Sequence, residues 1–157
     1  LAAQYEAVCA ALGISALTPQ ALDFSPLTGR HIVIDDGATW RPFSLAQRLL
    51  AEGAAVTRIF ADAPPPPEQA AAKILAGFVD IVPNTPKATA DMPRFADPSA
   101  LAVGCHAAYM ADTNYYLPTI AFGGDGRLPL LAKQLVQAAL TPKPPSGRFE
   151  PARGCCL

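Results

Sequence analysis

The chain lacks most of what marks the specialised protein classes. No apolar run approaches the ~20 residues that a membrane-spanning helix needs, and no charged start leads into an apolar stretch as in a signal peptide. A soluble, cytoplasmic protein without a membrane partner is therefore expected. Charge of one sign is equally scarce. Twelve Lys and Arg stand against 13 Asp and Glu, a net charge of −1, and no basic stripe gathers to hold a phosphate backbone, which argues against a nucleic-acid partner. Cysteine is limited to Cys9, Cys105, Cys155 and Cys156. The last two are neighbours that cannot readily bridge each other, and nothing resembles a disulfide framework. Reduced thiols are expected. The C-terminal Cys155-Cys156-Leu157 is no prenylation box, because the position fourth from the end is Gly154. Only two histidines are present, and neither C-x-x-C nor H-x-x-x-H occurs, so a self-contained zinc site is not expected.

What is present is apolar substance in short runs. Hydrophobic residues make up 51% of 157 residues and charged residues 16%, enough to bury the core of one ordinary domain. The chain opens on Leu1 inside a helical pattern, which reads as a piece of a longer polypeptide. Tyr5, Val8, Cys9 and Leu12 have helical spacing, and Gly13 follows as a stop. His31-Ile32-Val33-Ile34-Asp35 is an apolar run bounded by turn residues, as buried parallel strands are. Pro42 suits a first helical turn, and the helix continues over Phe43–Ala51 to Gly53. Ala55–Phe60 reads as the next strand. After the stiff Pro64–Pro67 run, a helix is expected over Glu68–Ala76 and a short strand over Val79–Val82. The stretch from Pro83 to Pro98 reads as a loop, Ala100–Val103 as the fourth strand and His106–Ala111 as a short helix. Pro118–Phe122 is the expected fifth strand, with Gly123–Gly126 as its exit turn, Leu128–Leu140 as the last helix and Thr141–Gly147 as an extended tail.

Strand and helix alternating in this way predict βαβ units with right-handed crossovers. The expected fold is α/β, a Rossmann-like three-layer sandwich on a parallel sheet of about five strands. Residues 1–26 form a helix and connection, 27–140 the domain and 141–157 a tail. In such folds ligands bind beyond the carboxyl ends of the strands. The candidate ligand-facing rim is therefore Asp35, Asp36 and Gly37, then Asn84, then Gly104, Cys105 and His106, and finally Gly123, Gly124 and Asp125.

Each rim motif has a functional and a plain reading. Asp35 and Asp36 could hold Mg²⁺ for phosphotransfer, but adjacent residues of an extended strand point to opposite faces, so an acidic turn is the simpler reading. A dinucleotide fingerprint needs G-x-G-x-x-G after the first strand. The segment from Ile34 to Phe43 has one glycine, and Trp40 with Pro42 would crowd a pyrophosphate. Cys105-His106 could supply metal ligands or a nucleophile and base, yet the other histidine, His31, starts a strand at the far end of the sheet. Cys105 reads equally as a small buried residue. Tyr109, Tyr115 and Tyr116 are expected to cover the core or an interface.

The order of these motifs carries a resemblance. Val79–Asn84, then Leu101 to Leu131 (LAVGCHAAYMADTNYYLPTIAFGGDGRLPLL), preceded by Gly29-Arg30-His31-Ile32-Val33-Ile34, resembles the C-terminal Rossmann-like domain of the nitrogenase component 1 family. In that resemblance Gly104, Tyr109, Pro118, Asp125 and Gly126 fall into the family's places, and it spans Leu27 to Leu140. It implies an oxidoreductase or cofactor-assembly subunit working with other domains or subunits and an ATP-dependent iron protein, around an iron–sulfur cluster of the full assembly. No cofactor is implied for this chain alone. The family's cofactor-ligating histidine has no counterpart in Phe122-Gly123-Gly124-Asp125, and none of the four cysteines matches its bridging-cluster ligands. Two other classes remain open: a small-ligand or nucleotide-binding flavodoxin-like module using Asp35, Asp36 and Gly104, and an Mg²⁺-dependent phosphotransfer domain.

Overall fold

The computed structural model describes residues 11, 23–85, 92–120 and 128–144. The strand His31–Asp35 (β1) is buried from its second residue onward, because both of its faces carry packed elements and alternation has nothing polar to serve. Strand β2 is Ala55–Phe60 and β3 is Asp80–Val82. Strand β4 is Leu101–Val103 and β5 is Tyr116–Leu117. All neighbours pair in parallel, in the order β3-β2-β1-β4-β5. The register of β1 on β2 shifts between Ile32 and Val33. Thr57 is the extra residue of that bulge, and its hydroxyl donates to Ile32 O at 3.4 Å.

The helices are Pro42–Ala51 (α1), Gln69–Leu75 (α2), Cys105–Ala111 (α3) and Leu128–Leu140 (α4). Three of them cover one face of the sheet. Ile32, Ile34, Ile59, Leu101 and Val103 meet Leu45 and Leu49 of α1, Leu75 of α2 and Leu131 and Leu135 of α4 there. On the other face Val33, Phe60 and Ala102 pack under Ala107, Ala108 and Met110 of α3, with Met92 and Phe95 alongside. Small residues on β4 and α3 let that helix lie close to the sheet. The result is the expected Rossmann-like three-layer α/β sandwich. Leu45 and Leu49 are wholly buried, each contributing about 1.5–3 kcal/mol relative to exposure. No helix among the described residues is long and apolar enough to cross a membrane.

Two expectations shift. The fifth strand lies at Tyr116–Leu117 and not at Pro118–Phe122. Pro118 has no N–H to give to a ladder, so pairing ends there, after Leu117 O has accepted from Gly104 N at 2.7 Å. Pro66–Glu68 forms a 3-10 turn, and α2 begins after it. The helix expected over Gln4–Leu12, the turn at Gly123–Gly126 and the tail beyond residue 144 lie outside the described residues, save for residue 11, which is helical.

Candidate functional site at the carboxyl rim

The strand order places β1 between β2 and β4, so the chain leaves β1 toward one side of the sheet and β4 toward the other. That junction is the topological switch point, where an open α/β sheet offers a crevice at its carboxyl end. The turn after β1 and the turn after β4 meet there, so Asp35 to Gly37 and Gly104 to His106 lie at it.

Asp35 is 2% exposed. Its Oδ1 accepts from Ala38 N at 3.0 Å, and its Oδ2 accepts from Ala107 N in the first turn of α3 at 2.8 Å. The approach is close enough to dictate the facing residue. Gly104 has φ +119, and a Cβ added there would lie 1.9 Å from Asp35 Oδ2, so only glycine fits. Burial raises the Asp35 carboxyl to about 6, against the backbone hydrogen bonds from Ala107, Ala38 and Gly37 that lower it and with help from the neighbouring charge of Asp36.

Asp36 turns the other way, as strand alternation requires. Its carboxylate accepts from the Asn84 side-chain amide at 2.5 Å and from Asp62 N at 3.2 Å, which ties the ends of β1, β2 and β3 together. Its charge also reaches His106, whose pKa is lowered by burial, with Asp36 opposing the shift. The imidazole stands edge-on to Phe60 with ring centroids 5.0 Å apart, and its Nε2 is shielded without a hydrogen-bond partner among the described residues. Cys105, half-buried, is the neighbour of His106 on α3; consecutive helical residues do not face each other. Asp35, Asp36, Gly37, Asn84, Gly104, Cys105 and His106 thus gather at one rim, whereas Gly123, Gly124 and Asp125 lie outside the described residues. Beyond β5 the chain returns to this rim, where Ile120 N donates to Ala38 O at 3.0 Å.

One residue of the rim was not anticipated. Glu68 is 0% exposed and serves α1. Its Oε2 accepts from Phe43 N and Ser44 N, both at 2.9 Å, its Oε1 accepts from the Ser44 hydroxyl, and Arg41 Nε lies 3.6 Å from Oε1. Trp40, by contrast, stands 72% exposed, with the Arg41 guanidinium 5.6 Å from its ring centre. Glu68, and not the indole, lies against the first-turn amides of α1.

At the opposite end of β1, His31 Nδ1 meets Asp97 Oδ2 at 2.7 Å. A shallow cavity of about 210 Å³ lies there, between His31, Thr57, Arg58, Phe95 and Asp97. Burial pushes the Asp97 carboxyl up, but hydrogen bonds from His31 and Ser99 prevail and hold it below the usual range. His31 and His106 are therefore held apart, and no group of three or more His, Cys, Asp or Glu among the described residues could hold a metal. An iron–sulfur cluster needs several thiolates. Cys105 is the one cysteine among the described residues, so the residues present there do not fit such a group. The tyrosines cover structure as expected: Tyr116 is buried, Tyr109 lies 3.7 Å under the Arg94 guanidinium and Tyr115 lies 4.6 Å under that of Arg30. Comparison of the chain with protein-family models, curated proteins and solved structures finds no match in any of the three.

Proposed function

We propose that the chain is a Rossmann-like domain of a nitrogenase component 1-like oxidoreductase or cofactor-assembly subunit, which lines a cavity shared with other domains or subunits and does not catalyse alone. The observation that supports this reading is the division of labour at the rim. Its two buried carboxylates, Asp35 and Glu68, are spent on holding the starts of α3 and α1. What remains at the rim among the described residues is Asp36, Asn84, Cys105 and His106, and no group of three or more His, Cys, Asp or Glu there could hold a metal. Such a rim can shape and polarise a cavity but needs another wall for chemistry. A strand ending in Gly104, a short helix bearing Tyr109 and a pairing strand closed by Pro118 also follow one another in the order on which the resemblance rests. In this reading the domain is cytoplasmic, and its partners are the assembly's other subunits and an ATP-dependent iron protein, with any iron–sulfur cluster held elsewhere.

Anaerobic reconstitution of the full chain with iron and sulfide tests the proposal. No stoichiometric cluster is expected, and cluster uptake by this chain alone would overturn it. A second reading, a small-ligand module, draws support from one observation, the exposed indole of Trp40 on the turn that begins at Asp36. A thermal-shift screen against nucleotides, sugars and cobalamin separates the two, because a ligand at 100 times its Kd adds about 2.7 kcal/mol. The Mg²⁺ reading finds no such support, since Asp35 and Asp36 bind different partners on different sides of β1.

A further inference from the structure

Every backbone donor in the first turn of α1 is already engaged within the chain. Pro42 has no N–H, Phe43 and Ser44 donate to Glu68 Oε2 at 2.9 Å, and Leu45 donates to Arg41 O at 3.0 Å. The carboxylate that takes the two orphan donors is fully buried and comes from the residue just before α2, delivered by the Pro64–Pro67 run. In open α/β sheets the start of the helix after β1 is where a ligand phosphate is received, because its free N–H groups and the helix dipole favour an anion. We propose that Glu68 is a built-in anion that occupies this position and so determines the ligand class of the rim. It refuses a phosphate at α1, as a nucleotide or dinucleotide would present, and leaves recognition to Asp36, Asn84 and His106, which suit a group without phosphate. This rests on the rim being the ligand-facing edge, and not on the nitrogenase-like assignment.

The test is a titration of the full chain with inorganic phosphate, at constant ionic strength maintained with chloride. It is followed by melting temperature and by the amide resonances of Phe43 and Ser44. The parent protein should show no saturable response. Glu68→Ala should melt lower without phosphate and recover by roughly 5–10 °C at about 100 times its phosphate Kd, with both amides moving along the same saturation curve. A saturable shift of those amides in the parent would overturn the proposal, as would their indifference in Glu68→Ala. If Glu68→Ala does not fold, Glu68→Ser, whose short hydroxyl cannot reach the two amides, is expected to show a saturable shift at the same two amides, and its absence overturns the proposal equally. Iron–sulfide reconstitution, whichever way it falls, leaves this result unchanged.

Discussion

Helices α1 and α3 begin at the same rim, and both begin without a capping side chain of their own: the preceding residues are Arg41 and Gly104, neither of which supplies the short oxygen of Ser, Thr, Asp or Asn. Each is instead served by a carboxylate from another element, Glu68 for α1 and Asp35 for α3. The two differ in surroundings. Glu68 has the Ser44 hydroxyl and the Arg41 guanidinium beside it as well as two N–H groups. Asp35 has backbone N–H groups, an adjacent Asp36 that repels it and a glycine backbone pressed against its oxygens. The comparison teaches that a buried carboxylate at a ligand-type rim can belong to the fold, and that its surroundings decide how much its charge costs.

The junction at Asp35 should be the more easily broken. Gly104→Ala drives a Cβ into the Asp35 carboxylate at a positive φ and is expected to lower the unfolding free energy by about 3–5 kcal/mol in urea titration. A loss under 1 kcal/mol would mean that the two are not in contact. At the α1 junction, Glu68→Ala leaves two N–H groups and a hydroxyl in a closed space, and should cost about 2–4 kcal/mol by the same measurement. Glu68→Gln should cost less, because a carbonyl oxygen remains to accept.

Charge separates the junctions through pH. The folded value of Asp35, about 6, lies above its ordinary 3.8, so the native state holds the proton more tightly than the unfolded chain does. Its contribution is present in full below pH 4 and is lost as pH rises through about 6, a swing on the order of 3 kcal/mol. His106 runs the other way. Its depressed pKa means that stability is lost as pH falls below 6.5. Asp35→Asn should therefore remove the decline between pH 4 and 6 and leave the His106 contribution, read from urea midpoints across pH. A parent and variant with parallel profiles would contradict the burial of an ionised Asp35. The smallest expected effect lies at Asp36, whose charge raises the His106 pKa against the effect of burial. In Asp36→Asn the histidine should titrate lower still by NMR, and an unchanged or raised value would remove Asp36 from its environment.

The architecture was legible because β1 is a nearly continuous apolar run, because β2 carries apolar residues at both ends around Thr57 and Arg58, and because Pro42 and Gly53 bracket a helix at the right distance between them. The rim followed from topology, and those of its named residues that lie among the described ones meet or adjoin there. Asp35 and Asp36 diverged as alternation demanded. The fifth strand was displaced because the apolar letters of Ile120 to Phe122 outweighed a proline that cannot pair, although Pro118 was itself the signal. Glu68 was missed for a deeper reason. Cap rules look at neighbouring residues, whereas this cap spans 24–25 positions of sequence. A lone glutamate directly after four prolines, with no basic partner in the following turn, is the only local hint.

Amide hydrogen exchange of Phe43, Ser44 and Ala107 tests most directly the claim that Glu68 and Asp35 hold the helix starts from within. In the parent protein these three amides should exchange as slowly as those of β1, at a rate governed by global unfolding. Exchange at the rate of an open loop would show the donors free to meet an outside ligand, and the carboxylates of Asp35 and Glu68 would then have to be read as site residues after all.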